Sequence, residues 1–199
     1  MSEVIKSEYE KATQIYKKLY EKSPFNTTYL KRLVTCYQET NKFSTVESLI
    51  QQKIIRYPKQ PFLHVILGYN FEKQNDIEAA KNQYKKALKG IEKQPQYSGF
   101  VGSIFKEYNL LDNAVLAYEI GMQKNENANY NFQIAQIYGE KGNFGKMFQS
   151  YVDLIDKNDN YLNTVRRYAS RYISDDPFDE NNVLFKKTLL KKSISNPKP

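Results

Sequence analysis

Few side chains in this sequence have a type and spacing that could do chemistry. There is one histidine, His64, and one cysteine, Cys36. A thiol becomes a nucleophile beside a base or in an electropositive setting, but no histidine lies near Cys36 in sequence, and a buried cysteine is inert. His64 falls in a position where bulky residues recur, which points to packing. Asp175-Asp176 and Asp179-Glu180 could hold a divalent cation. They also flank a helix start, where acids cap free N–H groups and complement the dipole, and the capping reading is preferred. Gly139, Gly142 and Gly145 lack the strand before them and the Lys-Ser/Thr after them that a phosphate loop needs. The expectation is therefore a non-enzymatic protein with no catalytic residue, no metal and no cofactor.

The bulk composition narrows the class further. A single cysteine excludes an internal disulfide and any multi-cysteine metal site. The densest apolar run, Phe62–Phe71, is interrupted by His64, Gly68 and Asn70 and falls short of the ~18 residues that span a bilayer. No membrane span is expected. The residues from Met1 to Lys6 lack the apolar core of a signal peptide, so the expectation is a soluble protein, cytoplasmic or, if a signal lies outside this chain, periplasmic. The net charge is +8, with both ends basic and the middle slightly acidic. That distribution would steer anionic partners toward the ends, yet lysine-rich outer helices would give the same sum, and nucleic acid is not the expected partner.

The elements that must position any site are set by a recurring phrase. It reads Ser7-Glu-Tyr-Glu-Lys-Ala12, Asn41-Lys-Phe-Ser-Thr-Val46, Asn75-Asp-Ile-Glu-Ala-Ala80, Asn109-Leu-Leu-Asp-Asn-Ala114 and Gly142-Asn-Phe-Gly-Lys-Met147. A weaker sixth copy is Asp176-Pro-Phe-Asp-Glu-Asn181, and successive copies start 34, 34, 34, 33 and 34 residues apart. A period near 34 with a helix on either side of a turn identifies stacked helical hairpins.

After each phrase a second helix carries one apolar stripe: Ala80, Tyr84, Ala87 and Leu88, for instance, or Ala114, Tyr118 and Met122. First helices repeat His64-x2-Leu67-Gly68-x2-Phe71, Ser98-x2-Val101-Gly102-x2-Phe105 and Leu30-x2-Leu33-Val34-x2-Tyr37. The later ones are Asn131-x2-Ile134-Ala135-x2-Tyr138 and Val165-x2-Tyr168-Ala169-x2-Tyr172. Glycine inside a helix costs roughly 1 kcal/mol relative to alanine. Gly68 and Gly102 at one phase therefore imply a contact too close for a side chain.

These residues resemble the tetratricopeptide repeat (TPR) family, with its W-x2-L-G-x2-Y, A-x3-F and P signature. The match is best at Leu67, Gly68, Phe71, Ala80, Tyr84 and Ala87, and it departs in having no tryptophan. The texture, rich in Lys, Asn, Ile and Tyr, is similar to that of bacterial TPR proteins. The resemblance implies an all-α, right-handed solenoid of about eleven helices over residues 1–199. Its layout is a half unit at 2–26, units at 27–60, 61–94, 95–127 and 128–161, a hairpin at 162–194 and a tail at 195–199. Ser2–Lys6 is read as the stub of a preceding helix.

In such arrays the first helices line a concave face. Transferring that phase places Lys31, Thr35 and Gln38, then Phe62, Val65, Tyr69 and Glu72, in the groove. It continues with Gln96, Ser103 and Lys106, then Asn129, Phe132 and Gln136, and ends with Arg166 and Ser170. The expected function is a protein-interaction scaffold holding an extended peptide or a partner helix there. Phe132 fits the core as well as it fits the groove. The chaperone-type carboxylate clamp keeps only Lys31, its other places being Thr35, Ile66, Gln96 and Phe100, so that ligand is not expected. Two other readings are an anionic-polymer binder using Arg166, Arg167, Arg171, Lys186, Lys187, Lys191 and Lys192, and an accessory domain of a larger enzyme. The stripe Tyr9, Ala12, Tyr16 and Leu19 has no full covering helix before it. The expectation is a chain excised from a longer array, or self-association through that uncapped end, with the last helix acting as a lysine-rich polar cap.

Overall fold

The computed structural model describes residues 3–195, and every regular element among them is helical, with no strand. Eleven α-helices follow in order: α1 Glu3–Lys22, α2 Thr27–Glu39, α3 Phe43–Arg56, α4 Phe62–Glu72, α5 Ile77–Lys93 and α6 Ser98–Glu107. Then come α7 Leu111–Lys124, α8 Asn131–Glu140, α9 Phe144–Lys157, α10 Leu162–Ala169 and α11 Glu180–Ser195. They form two compact units that divide after Gly121.

The turns inside the hairpins are closed in one way four times. Asn41, Asn75, Asn109 and Gly142 have φ of 58°, 62°, 60° and 69°, the left-handed region that asparagine and glycine enter most cheaply. The next residue's N–H then reaches back five positions. Lys42 donates to the Tyr37 carbonyl at 2.8 Å, Asp76 to Phe71 at 3.0 Å, Leu110 to Phe105 at 2.8 Å and Asn143 to Tyr138 at 2.8 Å. Asp76 and Asn143 then cap α5 and α9, accepting from Ala79 N–H at 3.0 Å and Lys146 N–H at 3.1 Å. Each turn thus ends one helix and starts the next.

In the unit ending at Gly121, α4 is the hub. Leu63, Val65 and Ile66 are fully buried on it, and so is Asn70. Asn70 Nδ2 donates to the Phe43 carbonyl at 3.1 Å, and its Oδ1 accepts from Gln38 at 3.3 Å. The glycines explain themselves here. A Cβ on Gly68 would lie 2.4 Å from the Tyr84 ring, and one on Gly102 would lie 2.5 Å from Tyr118. Where the first helix carries Ala135 or Val34 at that phase, it is equally buried.

In the second unit, Ala135, Met147, Phe148, Tyr151, Leu154, Val165 and Ala169 form one core. Phe148 stacks on Phe185 of α11 with ring centroids 4.7 Å apart, and α11 packs along α9.

Three expectations about the ends change. Residues 3–22 form one uninterrupted helix, so Ser2–Lys6 is no separate stub; Ser7 makes no turn, and residue 2 lies outside the described ones. Ser195, expected to open the tail, is still helical, and residues 196–199 lie outside the described residues. The last helix is not a purely polar cap. Lys192 turns inward to Asp153 and Asp156 of α9, at 3.0 Å each, while Val183, Leu190 and Ile194 face solvent, Ile194 at 80% exposure.

Candidate ligand-binding face of the first helices

The residues expected in a groove sort into three groups. Gln38, Phe62 and Val65 are buried and leave the surface set. Val65 is 0% exposed, Gln38 is spent on Asn70, and Phe62 packs edge-on against Phe100 at 5.0 Å. Phe62 and Val65 are covered because the apolar run of α4 extends well beyond one stripe, leaving only His64, Tyr69, Phe71 and Glu72 of that helix partly exposed.

A second group lies at the surface but is already partnered. The Lys31 ammonium forms an ion pair with Glu107, which ties α2 to the end of α6. Glu72 accepts from the Tyr84 hydroxyl at 2.7 Å. Tyr69 stacks on Tyr108 with centroids 4.1 Å apart and ring planes 6° apart. Lys73 pairs with Glu39 at 3.0 Å, and that hydrogen bond holds its pKa above the usual lysine value. Burial, reinforced by the Glu72 bond, raises the Tyr84 pKa, and burial raises Tyr108. Both stay phenols at any physiological pH. Sequence reasoning missed Glu39, Lys73, Glu107 and Tyr108. The Glu39–Lys73 pair spans one 34-residue period, joining equivalent ends of successive first helices, whereas Lys31–Glu107 and Tyr69–Tyr108 join different hairpins at spacings unrelated to that period.

A third group remains accessible. Gln96, Ser103, Arg166 and Ser170 are exposed, and Thr35, Lys106, Asn129 and Gln136 are half-buried. The Thr35 hydroxyl donates to the Lys31 carbonyl at 3.0 Å, and Ser103 to Phe100 at 2.7 Å. In the second unit Phe132 is half-buried against the core, edge-on to Tyr168 at 4.8 Å, so it packs as a structural residue. Arg167 and Arg171 lie 5.2 and 4.9 Å from the Tyr168 ring. With Lys192 bound to two aspartates, the basic end is partly consumed by its own fold.

The residues with reactive side chains sit in quiet surroundings. Cys36 is buried, and desolvation pushes its thiol pKa up. His64 donates from Nδ1 to Gln83 Oε1 at 2.8 Å, and burial lowers its pKa below the usual histidine value. Asp179 caps α11, accepting from Asn181 N–H at 2.9 Å and Asn182 N–H at 3.3 Å. Among the described residues no three His, Cys, Asp or Glu side chains come together as a metal site, and no helix is long and apolar enough to cross a membrane. In comparisons with known proteins, no family model matches this chain and no curated protein matches it.

Proposed function

We propose that the chain is a TPR-type array, a right-handed solenoid of helical hairpins with no catalytic role of its own. Its first helices hold an extended peptide or a partner helix. The observation that carries this reading is the identical closure of four turns at Asn41, Asn75, Asn109 and Gly142. It is joined by the Gly68–Tyr84 and Gly102–Tyr118 contacts at a single phase of the repeat. Repeated hairpins of this kind present extended binding surfaces rather than reaction pockets. The internal pairing of Lys31, Glu72 and Lys73 favours a ligand held by aromatic faces and amides over one held by charge.

The test uses a library of random linear peptides displayed on phage. Selection on the folded protein should enrich sequences with Kd near micromolar. Tyr69→Ala or Gln96→Ala should weaken them by about tenfold. Failure to enrich any sequence, or affinities indifferent to every first-helix substitution, would remove the reading.

A further inference from the structure

A pocket of about 310 Å³ opens where the first turns of α2, α4 and α6 converge beside the end of α3. Phe25, Phe62, Tyr97 and Phe100 line it with Leu30, and Lys53 of α3 lines it as well. Its size is at the lower end for ligand sites and suits a single residue-sized group. Phe25 stands at the rim at 72% exposure and meets Tyr57 edge-on at 5.6 Å. The polar members are Asn26, Thr27 and Gln60. Asn26 commits its side chain to the N–H groups of Thr28 and Tyr29.

Lys53 is out of pattern. The same phase of the neighbouring hairpins holds Leu19, Ala87, Gly121 and Leu154, the last three buried, so a cation stands where the repeat otherwise places an uncharged, mostly apolar residue. Violations of this kind concentrate at functional sites. Its ammonium has three N–H groups. One donates to the Tyr20 hydroxyl at 2.6 Å and another to the Pro24 carbonyl at 2.9 Å. It also sits 4.9 Å from the centroid of the Tyr20 ring and 5.5 Å from that of Tyr57. Its hydrogen-bond partners among the described residues are neutral, and burial lowers its pKa below the ordinary value. A partly desolvated cation held only by dipoles and ring faces gains most from a carboxylate.

We propose that this pocket binds the carboxylate of an acid bearing an aromatic or branched apolar group, with the ring against Phe25, Tyr97 and Phe100 and the carboxylate on Lys53. Two sources carry that chemistry: a free aromatic acid, and the last residue of a chain. The site stands on the cavity and on Lys53, not on the groove reading, since a single amino-acid unit fills it.

The probes are N-acetyl-phenylalanine, its carboxamide, and a hexapeptide ending in free phenylalanine, titrated by NMR into the full chain. The acid should bind about tenfold more tightly than the carboxamide, shifting the amides of Asn26 and Thr27, and Lys53→Met should erase the difference. A hexapeptide tighter than the free acid assigns the chain terminus, and equal affinities assign the small acid; both uphold the site. Equal binding of acid and carboxamide, or no saturation by about 10 mM, overturns it. If Lys53→Met fails to fold, the acid-to-carboxamide ratio in the native protein decides alone. A groove peptide selected as above that binds while the acid does not separates the two proposals.

Discussion

At the scale of single residues, packing in this protein is written as complementary pairs. Gly68 faces Tyr84 and Gly102 faces Tyr118, each too close for a Cβ. At the same phase of the first full hairpin the pair is Val34 with Ile50, both fully buried. A larger first-helix residue is tolerated where the second-helix residue is smaller. Gly68→Val should therefore cost about 1–3 kcal/mol by overpacking, and Tyr84→Ile a similar amount by opening a cavity and freeing Glu72. Together they should cost clearly less than their sum, because each relieves the other. Denaturant midpoints of the four proteins in this cycle measure it, and strict additivity would show that the two positions do not oppose each other as argued.

At the scale of elements, the end of the chain tests how α11 is held. Phe185 stacks on Phe148, Leu184 packs against the same core, and Lys192 forks to Asp153 and Asp156. The two aspartates raise the Lys192 pKa, so the ion pairs persist across the neutral range. All three groups are partly exposed, and the network is worth about 1 kcal/mol after screening. Lys192→Met should loosen residues 180–195 toward protease, and adding Asp153→Asn and Asp156→Asn should recover much of the loss by removing the bared like charges. Unchanged cleavage in the single variant would place the attachment of α11 in the apolar contacts of Leu184 and Phe185.

Element boundaries show which parts of the fold were legible in the sequence. The turns at Asn41, Asn75, Asn109 and Gly142 were, because the phrase opens on the residue types that take positive φ. The copies opening on Ser7 and Asp176 lack such a residue. The helix runs straight through Ser7, while Asp176 and Pro177 sit in a longer connection before α11. The groove was less legible. The repeat phase tells which helix face looks outward, but the continuous apolar run of α4 was the sign that Phe62 and Val65 would be covered. Pairings such as Lys31 with Glu107 obey no period at all.

At the scale of the whole molecule, stability should fall from the middle of the hairpin series to its ends. In a repeat array each element is held mainly by its neighbours, and opening free energies follow local burial. Neither α1 nor α11 contains a fully buried residue. By contrast α4 buries Phe62, Leu63, Val65, Ile66, Leu67, Gly68 and Asn70, and α9 buries Met147, Phe148, Ser150, Tyr151, Val152 and Leu154. Backbone amides of α4 and α9 should therefore exchange with deuterium at least about a hundredfold more slowly than those of α1 and α11. The expected profile rises from Glu3, peaks within each compact unit and declines again toward Ser195. Flat protection across all eleven helices, collapsing together at one denaturant concentration, would mean that the protein opens as a single cooperative body. The nearest-neighbour account would then be wrong, and with it the repeat physics on which the binding-module reading leans.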